Sequence, residues 1–520
     1  MGETPGIQTR RRLTRWYPWL LVVSGLLVYS NSLSAPFIFD DVRLISQNPV
    51  IEGWPSWDLL TSTNRPVFML SLVANHAAGG LDVRGYHLVN VLVHIGASLT
   101  LYGLLRLLLE NKVSTADAAP ALAFFTSLLW LVHPLQTEAV AYTAQRSESL
   151  MGLLYLLSLY CVIRSARARR SVAWTFAALV TLALAIGAKE VAVTAPFLIL
   201  LCARSFLAEG FLRAIRNRWI LYSGMVVLLC MLFATLIWRQ LFLEGTTAGF
   251  RLQSVTPWRY LMTQPEVIVR YLGLSFWPHP LCLDYAWPPA QGLSQVLPEG
   301  ILIVGLVLGT LWAACRRSWL GFAGAWFFGI LAPTSSVMPL QDAAAEHRMY
   351  LPLASVVVVP VILGYMATRR FGSPHARRIV GFLLAPGLAV LLGCATLRRN
   401  QDYLDPVRIW TTVVDVAPHN SRGRLNLGLA LTEAGDFDEA VRQYQEVLQV
   451  APRDPRVYKG LGDVRAAQGR FEEAVEYYRT AVEIAPEDAN AQSNLGLALM
   501  ALRRYQEAGE HLREALRSDK

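Results

Sequence analysis

Two adjacent carboxylates, Asp40 and Asp41, follow directly on the first apolar stretch of the chain. Neighbouring acids at a membrane edge repel each other and lose hydration, so they are costly unless they have a function. One interpretation is a catalytic or metal-binding acid pair; the plainer one is that they cap the start of a helix beside the membrane. Two acids can supply oxygen ligands to a divalent metal ion, but no third ligand accompanies them at a telling spacing, so a metal site stays an open question.

Acids and bases interrupt the apolar sequence at four later places as well. Taken singly, each has a structural explanation: a His-Pro step ends a helix, a Lys-Glu step forms its own ion pair, and charges on one helix face are solvated. Their arrival at one membrane face from separate loops instead predicts a single site at the interface. The residues are Arg65, His133, Glu138, Arg146 and Glu148, Lys189 and Glu190, and Glu346, His347 and Arg348.

The composition shows that a membrane-embedded fold must position these residues. A mean hydropathy of +0.36, with 54% hydrophobic and 16% charged residues over 520 residues, is typical of a polytopic membrane protein. The net charge of +9 does not indicate nucleic-acid binding, because the Arg residues form short clusters between apolar stretches, as the positive-inside rule expects. The six cysteines include no C-x-x-C pair, so neither a disulfide framework nor a zinc site is indicated.

Apolar stretches of about 17–24 residues alternate with basic loops and predict about eleven transmembrane helices. The first follows Arg10-Arg11-Arg12, and we interpret it as an uncleaved span because Pro36 disfavours signal-peptide cleavage after Ala35. The predicted spans cover approximately residues 16–35, 86–108, 119–134, 149–163, a stretch ending near 187, one returning to Arg204, 219–242, 299–314, and three ending near 333, 369 and 396.

This assignment places every basic cluster on one side of the membrane and the acidic motifs on the other. Residues 260–277 are apolar but contain Gln264, Glu266 and Arg270, which favours an interfacial or re-entrant helix over a span. The same count places the C-terminal part of the chain on the extracytoplasmic side. Counting 260–277 as a span would invert everything that follows it.

The C-terminal sequence repeats every 34 residues, which is the period of tetratricopeptide repeats. We predict residues 1–397 as a transmembrane domain, 398–420 as a linker with a degenerate half-repeat, and 421–520 as three repeats forming an α-solenoid. Such repeats stack helix pairs around a concave groove that binds a peptide or a partner protein. The recurring positions are Ala417-Pro418, Ala451-Pro452 and Ala485-Pro486; Leu427-Gly428, Leu461-Gly462 and Leu495-Gly496; and Phe437, Phe471 and Tyr505.

Several familiar chemistries have no signature in the sequence. We find no Gly-rich P-loop, G-x-S-x-G elbow, H-E-x-x-H motif or dinucleotide fingerprint. A soluble nucleotide substrate is therefore unsupported. An anionic lipid-borne substrate fits better, because basic residues at the membrane face can hold its phosphate while its tail stays in the bilayer.

The order of these motifs resembles that of the transmembrane and tetratricopeptide-repeat-containing glycosyltransferases, which have the C-type membrane glycosyltransferase fold. The resemblance covers essentially the whole chain. It departs from the family pattern at His347, which separates an acid and an arginine that are usually adjacent, and in having only about three repeats. It rests on Phe37–Asp41, Asn64-Arg65-Pro66, Tyr86–Asn90, His133-Pro134 with Thr137–Val140, Lys189-Glu190, Glu346-His347-Arg348 with Tyr350-Leu351-Pro352, and the repeats.

This resemblance implies transfer of a sugar from a polyprenyl- or dolichyl-phosphate donor to an acceptor on the outer face. In the eukaryotic members the sugar is mannose and the acceptor is a Ser or Thr hydroxyl. Asp40 or Asp41 would activate the hydroxyl as general base, and which of the two remains open. Cations would stabilise the leaving lipid phosphate. The implied phosphate-binding residues are Arg65, Arg146, Lys189, His347 and Arg348, and the supporting residues are His133, Glu138, Glu190 and Glu346.

Membrane lipid and an acceptor protein held in the repeat groove would be the partners. The small number of repeats and the lack of a reticulum-retention signal favour a bacterial inner membrane. Two alternatives compete: a non-enzymatic scaffold whose repeats recruit partner proteins, and a transporter. The scaffold leaves the Asp40-Asp41 pair without a role. Transporters carry ionisable residues near the bilayer midplane, whereas in this chain the charged residues lie at the ends of the predicted spans.

Overall fold

The computed structural model describes residues 14–53, 63–110, 115–167, 171–207, 211–242, 255–373 and 380–518. Within these ranges all regular structure is helical, which confirms the predicted all-α class. Arg10-Arg11-Arg12 lies outside the described residues. The chain divides into two units: a membrane unit, residues 1–281 and 287–404, and a repeat unit, residues 282–286 and 405–520.

The membrane unit consists of helices joined by short turns. Several begin at a proline in the first turn, where the missing N–H costs nothing. The helices are α1 (Tyr17–Val28), α2 (Pro66–Gly79), α3 (Val83–Glu110), α4 (Ala119–Leu131), α5 (Thr137–Ala141), α6 (Arg146–Arg167), α7 (Ser171–Ala188), α8 (Ala195–Phe206), α9 (Phe211–Asn217), α10 (Trp219–Phe242), α11 (Pro257–Phe276), α12 (Leu293–Cys315), α13 (Trp319–Leu331), α14 (Pro352–Phe371) and α15 (Ala385–Asn400).

Five of the described helices, α3, α6, α7, α12 and α14, are long and apolar enough to cross a membrane. The pair α4 and α5, bent by 58°, makes a sixth if it is one span. Large apolar side chains on these helices are exposed, such as Phe176 at 69% and Trp312 at 64%, as lipid-facing residues must be. The chain is therefore a multi-pass membrane protein. The eleven-span topology stays a prediction, and the doubtful stretch 260–277 lies largely in α11.

Breaks between helices position most of the polar candidates. His133 ends α4, where its Nδ1 accepts a hydrogen bond from the Leu135 N–H at 3.2 Å. Lys189 has extended backbone, with φ of −160° and ψ of 141°, after the end of α7. Glu346–Met349 forms a single 3₁₀ turn before α14. Irregular backbone inside a membrane bundle occurs where protein or a cavity surrounds it, so these breaks are suited to form a site.

A buried aromatic cluster fixes the turn that carries His347. Tyr350 follows that turn, and its backbone carbonyl accepts a hydrogen bond from Trp130 Nε1 at 2.8 Å. Its hydroxyl lies 2.9 Å from Nδ1 of His94, a residue in the middle of α3. The rings of His94 and Trp130 lie 5.0 Å apart. Two helices, α3 and α4, therefore hold the chain beside the polar turn.

The repeat unit consists of paired antiparallel helices, which confirms the predicted tetratricopeptide solenoid. The small residues allow close packing: a Cβ at Gly428 would lie 2.6 Å from the Tyr444 ring, and one at Gly462 would lie 2.5 Å from the Tyr478 ring. The helices are α16 (Pro406–Val416), α17 (Ser421–Ala434), α18 (Phe437–Val450), α19 (Pro455–Ala467), α20 (Phe471–Ile484), α21 (Ala489–Ala501) and α22 (Tyr505–Ser518).

The five-residue segment 282–286 is also part of the repeat unit. Asp284 is buried and accepts hydrogen bonds from Nε and Nη2 of Arg422 at 2.6 and 2.7 Å. Asn420 donates to the carbonyl of Asp284 at 2.9 Å. Burial alone would raise the pKa of Asp284, but the bonds and charge of Arg422 outweigh it and lower the pKa. The segment is thus held by a fork-shaped, charged contact.

Candidate active site

The two adjacent acids have different surroundings. Asp41 is fully buried, and its Oδ1 accepts a hydrogen bond from the Ala144 N–H at 2.6 Å while Oδ2 lies 3.4 Å from the Ile38 N–H. Burial raises the pKa of Asp41 to about 8, although the backbone donors oppose the rise. Asp40 is exposed, and its own N–H donates to the Tyr142 hydroxyl at 3.0 Å. Asp40 is therefore the member of the pair that a substrate can reach.

The residue before the pair has strained backbone. Phe39 has a φ of 49°, in the left-handed region that large side chains rarely adopt. Such a conformation costs on the order of 1–3 kcal/mol and persists only where the surrounding structure imposes it. Here the ring of the nearby Phe37 packs against Tyr86 at 5.3 Å. The turn therefore presents Asp40 at the surface while it buries Asp41.

The geometry gives no support to a metal site on these two acids. The oxygens of Asp41 are buried and accept backbone N–H groups, whereas Asp40 is exposed. In the part of the chain that the structure describes, no group of three or more His, Cys, Asp or Glu residues is arranged to hold a metal ion. We therefore assign no step to a metal ion.

Lys189 forms a buried ion pair. Its Nζ lies 2.5 Å from Oε2 of Glu148, and the two side chains are only 8% and 3% exposed. Burial lowers the pKa of Lys189, although the charge of Glu148 opposes the shift. An ammonium group has three N–H donors, and this contact uses one of them. Lys189 can therefore bind an additional anion while it stays paired.

Arg65 and Glu190 form a second ion pair that is only partly buried. The Arg65 Nη2 lies 3.3 Å from the Glu190 Oε2, and the side chains are 39% and 31% exposed. Arg65 is also close enough to Lys189 to lower the pKa of that lysine further. Two cations thus lie near each other, one buried and one accessible, in an arrangement that suits a phosphate group.

Glu138 and His347 form a third pair, which joins residues 209 positions apart. The Glu138 Oε1 lies 2.6 Å from the ring Nδ1 of His347, and its Oε2 accepts the His347 backbone N–H at 2.8 Å. Burial lowers the pKa of His347 well below its usual value, and the charge of Lys189 adds to the effect. The ring is therefore neutral at physiological pH. This differs from the expectation that His347 binds phosphate as a cation.

Two of the predicted phosphate ligands have their guanidinium groups engaged elsewhere. Arg146 is fully buried and donates to Asn90 Oδ1 at 2.6 Å, the Tyr86 carbonyl at 2.9 Å and the Ser71 carbonyl at 3.1 Å. It thus fastens three helices together and is not placed to bind a substrate. The charge of Arg146 predicts a phosphate ligand, whereas its hydrogen bonds give it a structural role between helices.

Arg348 likewise serves the local backbone. Its Nη1 donates to the Ala343 carbonyl at 2.8 Å and its Nη2 to the Asp342 carbonyl at 2.5 Å. Two of the predicted supporting residues are also inside the protein: His133 Nε2 contacts the Ser275 carbonyl at 3.1 Å, and Glu346 is buried near the charge of Arg399. These residues shape the loop and the helix ends around the site.

One short segment contacts both acids, His347 and Lys189. Along residues 138–148, Glu138 contacts His347, Tyr142 contacts Asp40, Ala144 binds Asp41, and Glu148 pairs with Lys189. The Tyr142 N–H donates to the Glu138 carbonyl, so the two ends of α5 carry the acid side and the histidine side of the site. Tyr142 was missed in the sequence. Its place between Glu138 and Arg146 was the available signal.

Comparison with known proteins places this geometry in context. A family model described as Tetratricopeptide repeat matches residues 396–455, 425–489 and 459–520. Protein O-mannosyl-transferase F38B6.6 of Caenorhabditis elegans is 26% identical over 451 residues, covering 80% of this chain and 60% of that protein. Protein O-mannosyl-transferase Tmtc1 of Drosophila melanogaster is 27% identical over 531 residues, covering 80% and 59%. Protein O-mannosyl-transferase TMTC2 of Homo sapiens is 35% identical over 160 residues, covering 28% and 18%.

The chain spans about three-fifths of the length of the first and second of these relatives. Their names confirm the resemblance to transmembrane and tetratricopeptide-repeat-containing glycosyltransferases that the motifs predict. Among solved structures, MamA AMB-1 is 24% identical with a TM-score of 0.20, covering 27% of this chain and 79% of that chain.

Proposed function

We propose that this chain is an integral-membrane glycosyltransferase that moves a sugar from a polyprenyl-phosphate-type donor to a hydroxyl of an acceptor protein. The observation that carries the proposal is the segment 138–148, which links an exposed carboxylate, Asp40, to the buried pair Lys189–Glu148. A general base and a phosphate site are the two groups that such a transfer needs. The names of the relatives supply the reaction class.

Asp40 is the general base of the proposed reaction. Its carboxylate takes the proton of the acceptor hydroxyl while the hydroxyl oxygen forms a bond to the anomeric carbon of the sugar. The bond between that carbon and the phosphate oxygen breaks, and the lipid phosphate leaves with the bonding electrons. A positioned base contributes roughly 10²–10⁴-fold to a reaction of this kind. The exposure of Asp40 and the burial of Asp41 support this division of labour.

Arg65 and Lys189 hold the phosphate of the donor. The charge on the lipid phosphate grows as it leaves, so fixed cations in a poorly hydrated site lower the barrier. Lys189 keeps free donor capacity beside Glu148, and Arg65 is accessible. Glu190 and Glu148 hold the two cations in position. His347 and Arg146, which were expected at the phosphate, have no part in this assignment.

An apolar cavity supports a lipid donor. It is lined by residues of α3, α13 and α14, among them Leu105, Phe322 and Val358. Along α14 it extends from Ala354 to Met366, and α14 begins directly after the turn that carries His347. A hydrocarbon chain gains about 0.8 kcal/mol per buried CH₂ relative to water. A prenyl tail alongside the polar site is consistent with this layout.

The finer assignments rest on the relatives and on the repeats. Mannose is the proposed sugar because the relatives are named O-mannosyl-transferases. The acceptor is a Ser or Thr hydroxyl of a protein that the repeat groove recruits. The small number of repeats favours a bacterial inner membrane, and the basic clusters favour the site and the repeats on the extracytoplasmic side.

Transfer by the purified full-length chain tests the proposal. The chain is reconstituted in nanodiscs with a polyprenyl-phosphate-linked radiolabelled mannose and Ser/Thr-containing peptides, and a parallel reaction contains GDP-mannose instead. We expect label in the peptide with the lipid donor only. Transfer from GDP-mannose in the absence of lipid donor, or no transfer from any lipid-linked sugar, would contradict the proposal. Mass spectrometry of extracytoplasmic proteins with and without the chain then identifies the natural sugar and acceptor.

A further inference from the structure

The Glu138–His347 pair holds an imidazole in one orientation. Both oxygens of Glu138 are used, one by the ring Nδ1 at 2.6 Å and one by the His347 backbone N–H at 2.8 Å. The carboxylate itself is buried, with 3% of the side chain exposed. Tyr350, three residues after His347, is anchored by Trp130. The ring is therefore fixed from both ends.

The surroundings determine where the proton of the imidazole lies. Burial raises the pKa of Glu138 to about 7, although the His347 backbone N–H and the charges of Arg399, Lys189 and Arg348 oppose the rise, so above this pH Glu138 is a carboxylate. A carboxylate can only accept, so Nδ1 carries the proton and donates it to Glu138. The other nitrogen, Nε2, then has a lone pair and no proton.

Nε2 is open to a ligand. The described residues supply no hydrogen-bond partner for it, and the His347 side chain keeps 15% of its surface exposed. Burial and the nearby charges of Lys189 and Arg348 lower the pKa of His347, whereas Glu148 and Asp342 oppose the shift. A neutral ring with an exposed lone pair repels phosphate oxygens but accepts a hydrogen bond from a hydroxyl.

We infer that Nε2 of His347 accepts a hydrogen bond from a hydroxyl of the substrate, and that Glu138 acts through it as a positioning residue. This inference rests on the proposed glycosyl transfer and replaces the phosphate-binding role expected for His347. The hydroxyl belongs either to the sugar or to the acceptor side chain. Both have the same donor chemistry, and kinetics distinguish them.

Two substitutions of His347 separate the roles of its nitrogens. His347→Asn places an amide N–H near the Nδ1 position and removes the group at Nε2, whereas His347→Gln places an amide near Nε2 and removes the donor to Glu138. We expect His347→Asn to keep the melting temperature of the wild type and to lose about tenfold in kcat/KM, as the loss of one hydrogen bond implies. His347→Gln should melt earlier and keep more of its activity per folded molecule.

Wild-type kcat/KM in the His347→Asn variant, with transfer by the wild type intact, would overturn the inference and leave the proposed function standing. No transfer by the wild type would overturn both the inference and the proposed function.

Kinetics of the wild type and of the His347→Asn variant also identify the source of the hydroxyl. If it is the sugar, a deoxy-sugar donor that lacks it slows the wild type but not His347→Asn. If it is the acceptor, KM for the peptide rises in His347→Asn while KM for the donor does not. If neither effect appears, Nε2 does not contact substrate and the inference fails.

Discussion

Ion pairs in the two units of the molecule differ in burial and in the distance they bridge along the chain. In the membrane unit, Lys189 and Glu148 are 8% and 3% exposed, and Arg65 lies 125 residues from its partner Glu190. In the repeat unit, Arg517 and Glu514 are three residues apart on one helix and 75% and 48% exposed. A buried ion pair forms only when both charged groups lose their hydration, which costs free energy. An exposed ion pair keeps most of its hydration, so its formation costs almost none.

This difference indicates what each set of charges is for. Buried ion pairs are poor sources of stability, because replacement by apolar groups is often neutral or better. Their presence in a membrane unit, where lipid-compatible residues abound, is best explained by function. The exposed pairs of the repeats keep a helix surface soluble. We therefore propose that catalysis occurs in the membrane unit and that the repeats recognise the acceptor.

The largest effect on stability is expected from breaking the buried pair. Lys189→Met leaves the Glu148 carboxylate buried without its partner, which should cost about 3–5 kcal/mol of folding free energy. The measurement is the apparent melting temperature of the purified chain in detergent. As a control, the double variant Lys189→Met with Glu148→Gln should recover much of the loss, because it no longer buries a lone charge. Unchanged melting of the single variant would mean that the pair is not buried.

The pH dependence of stability should report Asp41. Its pKa in the folded chain is about 8, above the ordinary value of 3.8, so protonation favours the folded state. The stabilisation is complete in acid and is lost as pH rises towards and through about 8, by at most about 1.4 kcal/mol per pH unit. Asp41→Asn mimics the neutral form. Its melting temperature should therefore fall less than that of the wild type between pH 6 and pH 9, and equal slopes would contradict the assignment.

Arg65 should affect the donor more than the fold. Its ion pair with Glu190 is partly exposed, so Arg65→Ala should change stability by about 1 kcal/mol or less. Loss of a charge-assisted contact to phosphate should raise KM for the lipid donor by about tenfold, or about 1.4 kcal/mol. Arg84→Ala, at another exposed arginine, is the matched control and should leave this KM unchanged. An unaltered donor KM in Arg65→Ala would remove Arg65 from the phosphate site.

The smallest effect should come from the repeat unit. Arg517→Ala removes a surface pair between residues one helical turn apart and should change stability by about 0.5 kcal/mol or less. Unfolding of the repeat unit, followed by circular dichroism of the full chain, measures it. A loss comparable to that of Lys189→Met would erase the contrast between the two units.

The sequence predicts the repeats far better than the site. Each repeat packs on its neighbours, so the step of 34 residues and the small Gly428 and Gly462 reveal the fold directly. The charged motifs could also be recognised singly. Their partners could not, because the contact between Glu138 and His347 spans 209 residues and depends on how the helices pack.

Burial is what the sequence could not supply. Asp40 and Asp41 are chemically identical neighbours, but the turn at Phe39 exposes the first and places the second, buried, beside the Ala144 N–H. The charge of Arg146 makes it a reasonable phosphate ligand, yet the side chain is fully buried and donates to three polar groups on α2 and α3. A residue type gives the available chemistry, and packing decides whether a substrate can reach it.

The most direct test of the account is sugar transfer by Asp40→Asn. With a saturating polyprenyl-phosphate-linked sugar and acceptor peptide, we expect transfer to fall at least about 100-fold, since a general base contributes roughly 10²–10⁴-fold. The melting temperature should stay close to that of the wild type because Asp40 is exposed. Asp82→Asn, at another exposed aspartate of the membrane unit, should transfer sugar normally. Full transfer by a folded Asp40→Asn variant would show that the exposed carboxylate is not the base.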